Sequence, residues 1–376
     1  MKNIIRIAIG VFLGCCCCKS PNNTTPDTDT DGKKNIQVWM NPITIKNTEP
    51  VNFTTGAWDL SDLSKWTKTQ KGLDVVYVFI DAICHKDVTD AQLESFCDML
   101  KKTDTKLAIE LAGLGNWYQT SYQPGTDDYA YNSMYGDFGD YTRLKKLMGI
   151  LAKRGLIIEY LNFDHAFMRA MNPKYANESP KMSIREAAEQ LYKYMAMWHK
   201  ECAGTKFNYI VNFPNHGWKR SPSITGNPTP AFSDYYFGDF YDDFQEICRL
   251  NEISDVKMNA IVVDFPYNPY LNSDMVLSKT EKKNRIKDLE KETKAAGMEY
   301  GVIFNSEDEG MGRTSDHNRQ YFNASMEFIA YYLANGGDPD YFINEAWYQY
   351  PDKLLPEDEP FTLMNLTLEI IKKYKK

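Results

Sequence analysis

Carboxylates and carboxamides recur along this chain where apolar runs give out. The run Glu299–Asn305, "EYGVIFN", passes straight into Ser306, Glu307, Asp308 and Glu309. Burying such groups without partners is costly, so a strand core normally excludes them. The pattern repeats at Asn162 and Asp164 in "IIEYLNFD", Asn212 in "FNYIVNF", Asp264 in "NAIVVDF" and Glu345 in "DYFINEAW". It repeats again at Asn41 in "IQVWMN" and Asp81 in "DVVYVFID", while "KLAIELA" carries Glu110. Two carboxyl groups facing one cleft, one protonated and one ionised, are what hydrolysis of a glycosidic bond commonly uses. Crowding and partial desolvation supply that difference by raising the pKa of one member. A rim rich in Asp and Glu without Lys/Arg clusters suits a neutral polyol better than a phosphorylated substrate.

The elements that would carry these tips alternate without a break past residue 35. Eight strand candidates are Ile36–Asn41, Asp74–Asp81, Lys106–Ala112, Ile157–Asp164, Phe207–Phe213, Asn259–Phe265, Glu299–Asn305 and Asp340–Trp347. Amphipathic helices separate them. "SIREAAEQLYKYMAMWHKE" sets Ala188, Leu191, Met195 and Trp198 on one face. "TDAQLESFCDMLKK" begins with a Thr cap and an acidic first turn and ends basic. Glycines 155, 204, 297 and 336 close several helices. Strand–helix alternation implies parallel pairing, and eight such units predict a single-domain (β/α)8 TIM barrel with long aromatic-rich loops after strands three and five. A doubly wound open sheet is the competing architecture, but no Gly-rich phosphate turn follows the first strand.

Strand parity then says where each tip points, since alternate residues of a barrel strand face inward. Leu107, Ile109 and Leu111 share one face of the third strand; Ala108, Glu110 and Ala112 share the other. The same count turns Asn41, Asp81, Asn162, Asp164, Asn212, Asp264, Asn305, Glu307, Glu345 and Trp347 inward at the C-terminal rim. Asp and Asn also begin ordinary loops, but that bland reading has to hold at all eight strands together.

The loops carry flat aromatic faces suited to sugar C–H surfaces: Trp117, Tyr118, Tyr122, Tyr129, Tyr131 and Tyr135 after the third strand, Trp218, Tyr235 and Tyr236 after the fifth. Packing as rigid lids is the alternative use. His165 beside Asp164, and His216, either tune or bind a hydroxyl or simply pack.

Of 376 residues, the barrel takes 35–376. A formal charge of −8 argues against nucleic acid as a partner. Residues 1–18 read as a signal segment: Lys2 and Arg6, an apolar run Ile4–Leu13 too short to span a bilayer, then "FLGCCCC". That end resembles a bacterial lipobox, which implies lipid attachment at Cys15 and a cell-envelope location on the outer membrane. Residues 19–34, Pro/Thr/Asn/Asp-rich, read as a disordered tether. Cys84, Cys97, Cys202 and Cys248 lack metal spacing and are expected as buried thiols. No cofactor and no metal is expected, and the chain is expected to be a monomer.

Acidic tips on strands four and seven and Trp347 on strand eight, on an exported eightfold barrel, resemble a glycoside hydrolase barrel of the clan A type, of the kind exported by Bacteroidota. The resemblance implies an acid/base at the end of strand four, Asp164, a nucleophile at the end of strand seven, Glu307, and Trp347 as a sugar-stacking residue. Strand four departs from the family pattern: "NFDHAF" stands where Asn-Glu is expected. Glu110, Asp264 and Glu345 are therefore alternative members of the pair. Asp81, Glu110, Trp117, Asn162, His165, Asn212, His216, Asp264, Asn305, Glu345 and Trp347 are the expected substrate-binding residues. Two other functions remain open. One is a glycan-binding barrel without catalysis; the other is a metal-dependent hydrolase, for which Asn305, Glu307, Glu309 and Asp316 partly resemble a calcium loop.

Overall fold

A computed structural model describes residues 36–46, 52–84, 88–111, 141–171, 182–213, 216–219, 239–266, 279–306, 316–346 and 349–376. The expected signal, tether and Cys15, the aromatic loop after the third strand with Trp117, Tyr235 and Tyr236 of the loop after the fifth, and Glu307 and Trp347 lie outside the described residues, as do the side chains of Asp81 and Cys84.

The strands are β1 (Gln37–Met40), β2 (Ile43–Lys46), β3 (Asn52–Thr55), β4 (Val75–Phe79), β5 (Lys106–Leu111), β6 (Tyr160–Asp164), β7 (Lys206–Asn212), β8 (Met258–Pro266), β9 (Glu299–Asn305) and β10 (Tyr341–Asn344). Eight of them close a parallel barrel in the order β1-β10-β9-β8-β7-β6-β5-β4, with β1 pairing both β10 and β4. The helices are α1 (Ile80–Cys84), α2 (Asp90–Thr103), α3 (Tyr141–Ala152), α4 (Ala166–Met171), α5 (Ile184–Glu201), α6 (Phe240–Ile253), α7 (Lys279–Ala295), α8 (His317–Ala334) and α9 (Leu363–Tyr374). The (β/α)8 expectation therefore holds.

Local sequence sets the helix ends. Thr89 and Gln92 form a reciprocal capping box at α2, and Ser183 with Glu186 does the same at α5. Gly204, at φ 100°, takes a conformation that side chains resist, in the turn into β7.

Two apolar layers follow from strand parity. Leu107, Ile109, Leu161, Tyr209, Val211 and Val302 face out and pack with the helices. Trp39, Tyr77, Tyr160, Ile210, Val262, Ile303 and Tyr341 face in. The Trp39 ring lies 4.5 Å from Tyr160 and 4.7 Å from Tyr341 between centroids, an aromatic plug that fills the interior. Gly301 makes room for it: a Cβ there would stand 2.9 Å from Tyr341 Cδ2 and 3.1 Å from Val262 Cγ2.

The structure departs from expectation in two places. The second barrel strand ends at Phe79, and Asp81 falls in α1 rather than on the strand tip, because the chain turns helical directly at Ile80. An antiparallel hairpin, β2 with β3, stands between β1 and β4, where no strands were expected. Cys97 and Cys202 are buried free thiols and Cys248 is partly buried. Burial pushes the Cys97 thiol up to about 12 and that of Cys248 to about 11. No described helix is long and apolar enough to cross a membrane.

Candidate active site

The residues above the aromatic plug come from successive strands and share the inward face. β5 contributes Glu110, β6 Asn162 and Asp164, and β7 Asn208 and Asn212. Asp264 comes from β8, Asn305 from β9, Glu345 from the end of β10, and Asn41 from the residue after β1. Glu110, Asn162, Asn305 and Glu345 are all buried, at 6%, 0%, 2% and 6% exposure. The C-terminal ends of the strands form the face where a barrel presents its functional residues.

Asp264 is anchored from both sides. Asn212 Nδ2 donates to its Oδ2 at 3.1 Å and Asn305 Nδ2 to its Oδ1 at 3.0 Å, one from each neighbouring strand. Burial and then the charge of Asp164 push its pKa up to about 7, against the pull of the two amides. Glu345 is held well above the usual carboxylate range by burial first and then by the charges of Asp264 and Asp164; the nearby Asn41 amide pulls the other way. Its Oε2 is buried and makes no hydrogen bond. Each of Asp164, Asp264 and Glu345 thus feels another across the mouth, as one shared hollow requires.

Asp164 is joined by its neighbour. His165 takes a left-handed backbone, φ 51°, which turns its ring back so that Nε2 lies 3.1 Å from Asp164 Oδ1. The His216 ring follows at 5.6 Å between centroids. His216 is fully buried, with Nδ1 donating to the Asn212 carbonyl at 2.9 Å, which fixes the tautomer. Burial and then the neighbouring His165 push its pKa down to about 3, so it is neutral.

Below this layer Asn208 Nδ2 donates to Asn162 Oδ1 at 2.8 Å. Asn208 was missed by sequence reasoning, although counting back by twos from Asn212 through Ile210 reaches it. Asp243 was missed as well. It is a carboxyl on α6, 2% exposed, behind the β7 wall facing Tyr209 and raised well above the ordinary range by burial.

Trp218 is not a sugar platform. It is 3% exposed, donates from Nε1 to Asp288 at 2.9 Å, and packs on Tyr241 and Phe244 at the outer wall. A cleft of about 750 Å³ opens there along α7, on the outside of the barrel. Ion pairs occupy its Lys219, held by Asp288 and Glu292, and its Lys294, held by Glu290 and Asp338. For the calcium-loop reading, Asn305 faces the barrel interior with its amide nitrogen on Asp264, and Asp316 pairs with Arg319 at 3.0 Å. Glu307 and Glu309 lie outside the described residues. Among the described residues no group of three His, Cys, Asp or Glu could hold a metal ion.

No protein-family model and no curated protein matches this chain. Solved structures similar to it include the catalytic domain of a β-amylase from Paenibacillus polymyxa (TM-score 0.43, 11% identity, 82% of this chain and 91% of that one). Another is a double mutant of an endo-β-1,4-mannanase from Cellulomonas fimi (0.45, 15%, 87% and 71%). An HpcH/HpaI aldolase from Desulfitobacterium hafniense stands beside them (0.36, 8%, 83% and 87%). An amylase, a mannanase and an aldolase side by side decide no chemistry at such scores. What the chain's own coordinates define is a closed (β/α)8 barrel with carboxyl groups and amides gathered at the C-terminal mouth.

Proposed function

We propose that this barrel hydrolyses a glycosidic bond in an oligo- or polysaccharide. The observation that supports the reading is the difference among carboxyl groups at one mouth. Glu345 is buried, with Oε2 free of hydrogen bonds, and burial and then the charges of Asp264 and Asp164 raise its pKa well above the ordinary carboxylate range, while Asp164 itself stands with His165 at its side. The reaction needs that asymmetry. Glu345 gives its proton to the glycosidic oxygen as the C1–O bond breaks. An ionised carboxylate either bonds to C1, to be displaced by a water whose second proton returns to Glu345, or itself takes that second proton from the attacking water, with Glu345 regaining a proton by exchange with solvent; in both cases water supplies the hydroxyl left on C1. Asp164 is the described candidate for the ionised member, Glu307 the candidate that the family resemblance implies, and Asp264, pushed up to about 7, a further candidate for the acid. The reading includes a lipid anchor at Cys15, resting on the lipobox-like "FLGCCCC".

The test is a panel of aryl glycosides and glycans assayed with the native protein and with Glu345→Gln, Asp164→Asn and Glu307→Gln. The expected result is turnover that falls about 10²–10⁴-fold in the variants that remove the acid or its partner, at unchanged melting temperature. Hydrolysis that persists in both Glu345→Gln and Asp164→Asn, or no hydrolysis by the native protein of any substrate it binds, would overturn the reading.

A further inference from the structure

The outer wall carries a charge arrangement that the chemistry of the mouth does not use. In a chain of net charge −8, α7 has seven Lys and Arg against four Asp and Glu. Its apolar residues Ile286 and Leu289 are buried against the barrel. Lys283, Lys287 and Lys291 follow at four-residue steps and so share one face of the helix. Lys287 and Lys291 are exposed and Lys283 is partly so. Among the described residues none of the three makes an ion pair or a hydrogen bond, whereas carboxylates hold Lys219 and Lys294 beside them. Like charges at that spacing destabilise a helix, so the stripe works against the element that bears it.

Its surroundings narrow the kind of anion it fits. Lys287 and Lys291, with Asn284 and Asp288, line the cleft of about 750 Å³ along α7. Successive lysines of the stripe lie about 6 Å apart along the axis, and Asp288 and Glu292 follow Lys287 and Lys291 directly. A nucleic acid, with its closely spaced phosphates, brings anions against those carboxylates as well as against the lysines. A bilayer surface takes an amphipathic helix by its apolar face, but α7 turns that face to the barrel. The exposed large hydrophobic residues among those described, Ile157 and Ile253, lie elsewhere. A chain with one carboxylate per unit and hydroxyl groups between them answers both signs. Its carboxylates pair with the lysines, and its hydroxyls donate to Asp288 and accept from Asn284.

We infer that the α7 cleft is a surface site for a linear glycan built of uronic acid rings. The recognition of charge stands on α7 alone; the choice of a sugar chain over an acidic peptide rests on the glycosidic reading. Lying outside the barrel, the site leaves the suitability of the mouth for uncharged rings as it is.

The experiment titrates the full chain with end-labelled oligogalacturonate, with its methyl-esterified, uncharged form, with poly-glutamate and with phosphatidylglycerol vesicles. The acid form should bind, less tightly as salt is added, and the ester at least tenfold more weakly. Lys287→Gln with Lys291→Gln should cost the acid form about tenfold, the loss of two exposed charge contacts, at unchanged melting temperature. Lys101→Gln with Lys102→Gln removes the same charge from the exposed face of α2 and should cost nothing. An equal loss in both double variants, equal affinity for acid and ester, or no binding of the acid form overturns the site. Poly-glutamate or vesicles bound as tightly as the acid form overturns the sugar assignment. Both double variants should turn over the substrates of the mouth at the native rate, so failure of the groove and failure of the glycosidic reading are read separately.

Discussion

Asp264 and His216 meet through a single residue, Asn212, whose side-chain nitrogen serves the first and whose carbonyl serves the second, and the two titrate in opposite senses. Asp264 carries a proton in the folded state up to about pH 7, while its unfolded counterpart releases it near the ordinary carboxylate value. The folded chain then binds the extra proton, so this contribution to stability is full in acid and is lost as pH rises toward 7. His216 refuses a proton in the fold until about pH 3, whereas the unfolded imidazole takes one near 6.5. Its contribution is full above that value and is lost as pH falls. Asp264→Asn isolates the first effect. Denaturant midpoints should show the variant gaining on the native protein between pH 5 and pH 8 by roughly 1–3 kcal/mol. His216→Asn isolates the second: its deficit against the native protein should shrink as pH drops from 7 to 4, by about 1–3 kcal/mol. A gap that does not change with pH in either comparison would mean that the side chain is hydrated and not held by the mouth.

At the scale of the strand, alternation carried most of what the sequence made legible. A period of two is a property of the backbone, so Asn162 with Asp164, Asn212, Asp264, Asn305 and Glu345 could be turned inward by counting from their apolar neighbours. Counting fails where the strand stops being a strand. Asp81 has the right parity, but the chain coils at Ile80 and the count no longer applies. Trp218 failed for another reason: an aromatic loop residue has no periodicity to say which wall it joins, and here Asp288 and the α6 aromatics claimed it. The hairpin of β2 and β3 is short and outside the barrel rhythm, so an eightfold pattern passes over it. Interior shape is also beyond a parity count, and Gly301 shows it best. Its inward position reads as a vacancy in sequence, yet Tyr341 and Val262 already fill the space. Gly301→Ala should therefore lower stability by about 1–3 kcal/mol, read as a fall in melting temperature. A neutral outcome would show the plug to be looser than its ring distances imply.

At the scale of the molecule, the barrel has one seam, where the first strand meets the last, and the C-terminal segment holds it. Asn344, just before the rim residue Glu345, points outward and donates to the Leu363 carbonyl at 3.1 Å and to Thr367 Oγ1 at 2.8 Å, tying β10 to α9. Lys375 at the end of α9 pairs with Asp74 at the foot of β4. Glu357 makes a further tie. It is 2% exposed, and its carboxylate accepts from the backbone of Lys68 at 2.8 Å and from the backbone and hydroxyl of Thr69 at 2.8 and 2.7 Å. Removing it strands the fully buried Thr69 donors as well as breaking the bonds, and leaving buried donors unmade is the larger cost. Glu357→Ala should cost about 2–4 kcal/mol, whereas Glu357→Gln, which keeps one acceptor oxygen, should cost less. Because the seam and the mouth belong to one closed sheet, hydrogen exchange in Glu357→Ala should rise together at β1, β10 and β4. Faster exchange confined to the segment around Lys68 would mean that Glu357 anchors a local loop and that the barrel closes without it.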